Sequence, residues 1–211
     1  MRNLSLIDKI LTQANLALET IFTISADSRK NPAENIAEDN LSSAEKKQSA
    51  NLMRVNHTGE VCAQALYRGQ LMLSHSQKTK TMLLKSCEEE TDHLAWTKQR
   101  ILELNSHASY LNSFFYFNSF MIGLLAGISG DQWSLGFVEE TETQVAKHLE
   151  NHLEKLPQKD LKSKKILEQM RDEEIQHEKA AAKAGACELP LIIKKLMQFN
   201  SKIMTTLTYW V

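Results

Sequence analysis

Four long stretches of the chain repeat apolar side chains three and four positions apart, the spacing that places them on one face of an α-helix. They cover about residues 44–74, 79–105, 131–156 and 160–185. The breaks between them contain residues that interrupt helices, such as Gly130 and Pro157. Four consecutive amphipathic helices of this length are what a helical bundle requires, so the pattern predicts an all-α four-helix bundle.

The N-terminal part of the chain has a different pattern. Apolar positions at helical spacing over residues 4–24 predict a short amphipathic helix. Residues 25–43 are polar and include Pro32, so we expect a linker or a mobile arm there. Ser42 and Glu45 form a candidate capping box, which predicts that the first bundle helix begins directly after it.

Two further apolar stretches flank the later helices. Residues 104–130 carry no Asp, Glu, Lys or Arg, and residues 189–211 are apolar apart from three lysines. The first stretch is long enough to cross a bilayer, but asparagines, hydroxyl side chains and glycines dilute it. We interpret it as a helix that lies in the membrane interface or lines an apolar channel. A true membrane span and a plain crossover in the core are the alternatives.

Each predicted bundle helix places one glutamate on the stripe that should be apolar and face the core. These inward glutamates are Glu60, Glu90, Glu142 and Glu174. On two of the helices a histidine follows three residues later, which puts His93 beside Glu90 and His177 beside Glu174 on one helical face. Glutamate is almost never fully buried unless it is paired or bound to metal, so these positions predict a metal site.

Two single glutamates and two Glu-x-x-His pairs are the ligand set of the di-iron carboxylate bundles. The glutamates of the two halves are almost equally far apart in sequence, as a pseudo-twofold bundle requires. Four carboxylates balance the charge of two ferrous ions, and a nitrogen and oxygen ligand set without thiolate favours iron or manganese over structural zinc. The residues predict a site for two iron or manganese ions per chain, bound by Glu60, Glu90, His93, Glu142, Glu174 and His177.

Other polar residues of these helices are assigned supporting or surface positions. His57, three residues before Glu60, and His148, on the helix of Glu142, are candidates for hydrogen bonds beside the metal site. The remaining acidic residues near the ligands lie off the apolar stripes, where a run of charge is usually a solvated helix face. We therefore expect solvent exposure for Glu88, Glu89, Glu139, Glu140, Asp172 and Glu173.

Composition and charge exclude several other classes of protein. Only 7 of the 211 residues are glycine and 3 are proline, too few turn formers for a β-sandwich or barrel. A net charge of -1 gives no basic footprint for nucleic acid. The three cysteines form no Cys-x-x-Cys motif, which argues against a disulfide scaffold or a cysteine-based zinc site. We expect no signal peptide, because charged residues interrupt the apolar pattern of the first helix.

Four motifs together closely resemble the bacterial demethoxyubiquinone hydroxylases, the 2-polyprenyl-3-methyl-6-methoxy-1,4-benzoquinone monooxygenases of ubiquinone biosynthesis. The motifs are RVNHTGE at 54–60, EEETDH at 88–93, VEETETQVAKHLENHLEKLP at 138–157 and RDEEIQH at 171–177. The resemblance covers about residues 44–211, whereas residues 1–43 match nothing diagnostic. It places the family's iron ligands on the same six residues that the helical stripes select.

The resemblance implies a ferritin-like di-iron monooxygenase that hydroxylates the ring of a polyprenyl benzoquinol with O2. It also implies a peripheral position at the cytoplasmic side of the cell inner membrane, with the lipid surface as a partner. Because the chain contains no dinucleotide-binding motif, electrons must come from an external reductant or from the quinol itself. Other proteins of ubiquinone biosynthesis are candidate partners, and nucleic acid is not expected.

Three other functions stay open at this point. Another ferritin-like enzyme, such as a tRNA-modifying hydroxylase or a manganese catalase, would use similar ligands, although the former should have a basic surface. An iron-storage bundle should assemble into a large closed shell and has no need of the uncharged stretch. A metal-free scaffold on a membrane surface would leave the inward glutamates unexplained.

Overall fold

The computed structural model of the protein describes residues 5–23, 28–37 and 40–211. Within these residues the chain forms α-helices and no β-strand, which confirms the all-α prediction. The helices are α1 (Leu6–Phe22), α2 (Ser43–Leu73), α3 (Gln77–Glu103), α4 (Asn112–Ile128), α5 (Asp131–Lys155), α6 (Leu161–Ala184) and α7 (Leu191–Thr208). The three cysteines are free thiols, in agreement with the prediction from their spacing.

Helices α2, α3, α5 and α6 form the bundle. Short loops join α2 to α3 and α5 to α6, so each pair folds back on itself, and the pairs pack together through α3 against α6 and α2 against α5. Large apolar side chains from all four helices meet in the core, among them Met53, Trp96, Leu149 and Met170. Complete burial of one such side chain stabilises the fold by roughly 1.5–3 kcal/mol. This packing holds the middle of the four helices at fixed positions.

The uncharged stretch forms the crossover from α3 to α5. Its helix, α4, packs so closely on α2 that the two backbones are in direct contact. A Cβ atom at Gly123 would overlap the Leu66 carbonyl group. The opposite face of α4 exposes a stripe of apolar side chains, namely Phe114, Phe117, Met121, Leu125 and Ile128. In the part of the chain that the structure describes, no helix combines the length and the apolar character that a membrane span requires.

The polar N-terminal segment lies against the bundle in its described part, where composition predicted a linker or mobile arm. Ala33 and Leu41 are buried in the bundle core, and Arg29 binds Asp92 of α3. Several contacts are polar, since Arg29 and Asn31 bind side chains of α3, and apolar periodicity does not reveal contacts of this kind. Part of the first predicted helix and of the polar segment falls on residues 1–4, 24–27 and 38–39, outside the described residues. A domain boundary after residue 43 stays a prediction.

Polar contacts fix the start of the first bundle helix and connect its interior to neighbouring segments. As predicted, the Ser42 hydroxyl accepts from the Glu45 backbone N–H, and the Glu45 carboxylate accepts from the Ser42 backbone N–H. Further along α2, the buried Arg54 guanidinium donates to the carbonyl oxygens of His107 and Tyr209 at 2.9 and 3.2 Å. Arg54 therefore ties both the loop before α4 and the end of α7 to the bundle.

Candidate metal centre

The six predicted ligands meet inside the bundle and are all buried. They form two groups that share Glu90 and Glu174: Glu60 and His93 complete one group, and Glu142 and His177 complete the other. In each group, one potential ligand atom per residue lies within 4.8 Å of the others. One ion per group can therefore contact four side chains, and the shared carboxylates lie between the two positions.

Each histidine directs Nδ1 into this cluster. His93 Nδ1 lies 3.0 Å from Glu90 Oε2 and 3.2 Å from Glu174 Oε1. His177 Nδ1 lies 3.0 Å from Glu174 Oε2 and 3.5 Å from Glu90 Oε1. The arrangement is nearly symmetric between the two halves, because residues three apart on α3 and on α6 share one helical face.

The outward nitrogen of each histidine binds a carboxylate of the opposite helix. His93 Nε2–H donates to Glu173 Oε2 at 2.7 Å, and His177 Nε2–H donates to Glu89 Oε2 at 2.5 Å. A carboxylate in this position fixes the tautomer and the ring orientation of a metal-binding histidine. It directs Nδ1 toward the cluster as the nitrogen that would bind a metal.

The prediction that Glu89 and Glu173 face solvent is therefore wrong. Because α3 packs against α6, Glu89 of α3 lies beside His177 of α6, and Glu173 of α6 lies beside His93 of α3. The hydrophobic pattern of a single helix cannot show contacts between two helices. A signal was present, since both halves contain Glu-Glu-x-x-His. Of the other four acidic residues, Glu88 and Asp172 are exposed as predicted, whereas Glu139 and Glu140 are half-buried.

Burial and charge shift the acid–base properties of the ligands strongly. Burial, followed by repulsion from a neighbouring carboxylate, raises the pKa of Glu60 and of Glu142 well above the ordinary value. Although burial opposes ionisation, the nearby histidines hold the pKa of Glu90 well below its usual range. Burial likewise opposes the charge on His93, but the surrounding carboxylates raise its pKa well above the ordinary value.

The cluster also contains carboxylate oxygens without a hydrogen bond. Within the described residues, Oε1 of Glu90, Glu142 and Glu174 is buried and has no hydrogen-bond partner. Buried polar groups are almost always hydrogen-bonded, and an unpaired one costs about 1–3 kcal/mol. A divalent cation bound here would supply the missing partner, and a set of nitrogen and oxygen ligands suits iron or manganese. The residues present therefore fit a pair of metal ions.

The two supporting histidines lie in different surroundings. His57 Nδ1–H donates to the Thr97 hydroxyl at 3.0 Å, and that hydroxyl donates to the His93 carbonyl oxygen at 2.7 Å. His57 thus reaches a ligand residue only through its backbone. His148 lies beside Glu60 in the wall of a small cavity, where its Nε2 is buried and has no hydrogen-bond partner in the described structure.

That cavity, of about 40 Å³, is lined by residues of α2, α5 and α7, whereas the ligand histidines lie on α3 and α6. It adjoins a larger cleft of about 610 Å³ that shares Val55, His148 and Thr205 with it and extends to Trp210. The described structure thus contains an approach to Glu60 from the protein surface.

Comparison with known proteins agrees with this geometry. The family model described as "Ubiquinone biosynthesis protein COQ7" matches residues 47–208. The chain belongs to this family. It is 54% identical over 210 residues to the 3-demethoxyubiquinol 3-hydroxylase of Coxiella burnetii (strain Dugway 5J108-111), covering 100% of this chain and 98% of that protein. The resemblance stated from the four motifs is confirmed.

Two more distant relatives have the same name. The 3-demethoxyubiquinol 3-hydroxylase of Polynucleobacter asymbioticus is 52% identical over 207 residues, covering 98% of this chain and 99% of the relative. That of Nitrosococcus oceani is 47% identical over 211 residues, covering 100% and 99%. The similarity therefore extends beyond the residues of the family model into the N-terminal region.

Proposed function

We propose that this protein is a di-iron monooxygenase that hydroxylates the ring of demethoxyubiquinol, a 2-polyprenyl-3-methyl-6-methoxy-1,4-benzoquinol, with O2. The observation that carries the proposal is the buried cluster in which Glu90 and Glu174 belong to both metal-binding groups. The family and the names of the relatives support the choice of substrate and pathway.

The ligand set would hold two iron ions. Glu60 and His93 would bind one ion, Glu142 and His177 would bind the other, and the shared Glu90 and Glu174 could contribute to both. Bound iron supplies the redox chemistry that activates O2. The chain itself holds the ligand geometry and excludes water from the cluster. It also fixes the metal-facing nitrogen of each histidine through the carboxylate on its other nitrogen.

The cleft between α2, α5 and α7 is the route that we assign to the quinol. Its inner end lies beside Glu60, where His148 Nε2 and Asn56 Nδ2 are both buried without a hydrogen-bond partner in the described structure. A ring hydroxyl can donate to the first atom and accept from the second. Burial lowers the pKa of His148 to about 4, so the ring is neutral and its free nitrogen can accept a hydrogen bond.

A substrate with a long isoprenoid tail resides in lipid, which favours a position on the membrane surface. Exposed apolar side chains repeat along α7: Leu191, Ile192, Leu196, Phe199, Ile203 and Leu207. Similar stripes follow α1 and α4, and Lys195 and Lys202 add positive charge to α7. We place these helices on the cytoplasmic side of the inner membrane, with electrons arriving from an external reductant or from the quinol itself.

Metal analysis and quinone analysis test the proposal together. Purified protein should hold two iron ions per chain, and Glu90→Ala should lose them, whereas Glu88→Ala on the exposed face of the same helix should keep both. A strain without the gene should accumulate the quinone that lacks the second methoxy group, and only the iron-binding forms should restore the normal profile. An unchanged quinone profile in the deletion strain would remove the proposed substrate.

A further inference from the structure

We infer that the two metal positions have unequal affinities and that Arg29, from the polar N-terminal segment, makes the position at His93 the tighter one. The inference rests on the proposed di-iron centre. It concerns a positioning residue outside the bundle and outside the residues that the family model matches.

Arg29 is connected through Glu173 to His93, one of the proposed metal ligands. Its Nη1 and Nη2 donate to the two carboxylate oxygens of Glu173 at 2.6 and 3.0 Å, and its Nε donates to Asp92 at 2.5 Å. The guanidinium carbon lies 5.0 Å from the ring centre of Trp96, whose ring is 5.5 Å from that of His93. Arg29 therefore contacts three side chains around one histidine.

These contacts fix the carboxylate that orients His93. Glu173 Oε2 accepts both from Arg29 and from His93 Nε2, while Oε1 accepts from Arg29 and from Gln169. A forked pair between arginine and a carboxylate is geometrically specific as well as strong, because two parallel N–H groups match two oxygens. With both oxygens engaged, Glu173 has little freedom to rotate, and the His93 ring is held with it.

The carboxylate that orients His177 has weaker support from its neighbours. This carboxylate, Glu89, has Lys85 as a cationic neighbour at 3.4 Å, and the side chain of that lysine is 73% exposed. The Glu89 side chain is itself 25% exposed, against 11% for Glu173. Exposed lysine pairs of this kind contribute little because water screens the charges and the long side chain must be ordered. His177 is therefore held less firmly than His93.

Unequal positioning has a direct consequence for metal binding. Loss of a hydrogen-bonding partner of a metal-bound histidine typically lowers metal affinity by about 10–100-fold. The first ion should therefore enter the position of Glu60 and His93, and the second should enter that of Glu142 and His177. Arg29→Gln should weaken the first step about tenfold and leave the second nearly unchanged.

Titration of the metal-free full-length protein with Co²⁺ under anaerobic conditions tests this order, read by calorimetry and by the visible absorption of bound cobalt. The wild type should bind two ions in two resolved steps. His177→Ala should remove the weaker step and His93→Ala the tighter one. Arg29→Lys, which keeps the charge but loses the fork, should fall between the wild type and Arg29→Gln.

Arg171→Gln is the matched control, since Arg171 lies on α6 but pairs with Glu150 and Asp172 away from the histidines. It should leave both steps unchanged. Two steps of equal affinity, an Arg29→Gln isotherm equal to that of the wild type, or loss of the tighter step in His177→Ala would overturn the inference and leave the di-iron centre standing. If Arg29→Gln does not fold, the two histidine variants still decide the order of the two positions, and Arg29→Lys decides whether Arg29 sets that order. Absence of any cobalt binding would instead contradict the proposed function.

Discussion

At the scale of single residues, the centre distinguishes carboxylates that serve one metal position from those that serve both. Glu60 and Glu142 each belong to one group of ligand atoms, whereas Glu90 and Glu174 belong to both. The difference follows from the packing of α3 against α6, since both shared glutamates come from these two helices. The two classes of glutamate should therefore respond differently to substitution.

Removal of an end ligand should cost one ion, and removal of a bridging ligand should cost two. We expect Glu60→Ala to retain about one iron ion per chain, because the group around His177 stays complete. Glu174→Gln keeps the side-chain shape but removes a charge that both ions share, so it should retain almost none. Elemental analysis of the purified variants measures this. Equal iron content in the two variants would contradict the bridging assignment.

His148 should affect substrate binding more than metal binding. In His148→Ala, the loss of one hydrogen bond of about 0.5–1.5 kcal/mol should raise KM for a short-chain demethoxyquinol by up to about tenfold, with iron content unchanged. His107→Ala is the control, because His107 is an exposed histidine of the loop before α4. An unchanged KM, or loss of iron with His148→Ala, would show that this histidine does not face the quinol.

At the scale of secondary-structure elements, α7 has two roles that its position makes compatible. One side of the helix closes the cleft that leads to Glu60, through Ser201, Met204 and Thr205. The other side exposes a stripe of apolar residues from Leu191 to Leu207. In the membrane position that we propose, α7 would lie between the lipid surface and the cleft and would give a lipid-borne substrate a short path to the centre. The Arg54 contact to the Tyr209 carbonyl group holds the end of this helix on α2.

Charge neutralisation on α7 tests the contact with lipid. Each lysine near an anionic membrane surface contributes about 1 kcal/mol, so a change of Lys195 and Lys202 to glutamine should weaken binding roughly 30-fold. The measurement is sedimentation with vesicles of phosphatidylglycerol and phosphatidylcholine, at low and at high salt. The same change at Lys164 and Lys165 of α6 is the control. Equal binding by both double variants would contradict the orientation proposed for α7.

At the scale of the whole molecule, two opposing effects determine stability. Burial of apolar side chains stabilises the bundle, whereas the buried cluster of charged side chains destabilises it when no metal is bound. Four glutamates and two histidines occupy the middle of the helices, where other positions are filled by side chains such as Met53 and Leu149. Without metal, the carboxylates must bind protons or repel one another. Metal binding, folding and pH are therefore coupled in this protein.

Above neutral pH, the stability of the metal-free protein should fall as pH rises. The raised pKa of Glu60 and Glu142 means that the folded state holds their protons more tightly than the unfolded state does. Their contribution is complete below the ordinary value of 4.5 and is lost as pH rises through the folded value. His93 adds the same trend above its ordinary value of 6.5.

Carboxylates whose pKa is lowered in the folded state have the opposite effect on stability, because they destabilise the protein as pH falls. This effect is confined to acidic pH. The pKa of Glu173 falls to about 2, since hydrogen bonds from His93 and Arg29 outweigh the effect of burial. Its contribution is complete above 4.5 and is lost as pH falls toward that value of about 2. Below the ordinary histidine value of 6.5, the buried neutral His57 and His148, whose pKa burial lowers to about 3 and about 4, also add stability as pH rises. Thermal unfolding from pH 7 to 9 should therefore show a decline for metal-free protein and a gain on addition of Fe²⁺ that grows with pH. Parallel curves with and without metal would contradict the buried charge cluster as the source of this coupling.

The sequence by itself determined the helices and the six residues of the centre. Both can be predicted from one helix at a time. The 3.6-residue repeat of apolar positions identifies the buried face of each helix, and a glutamate on that face is unusual enough to be recognised. The paired Glu-x-x-His motifs then indicated which residues converge, and the structure brings all six together.

Tertiary structure decided which side chains support that centre. Arg29 lies 144 positions from Glu173 in sequence, and His177 lies 88 positions from Glu89, so no local pattern connects them. The same holds for the cleft, which exists only because α7 returns to lie along α2 and α5. Contacts of this kind depend on how helices cross and on where a polar segment docks, and hydrophobic periodicity carries no information about either.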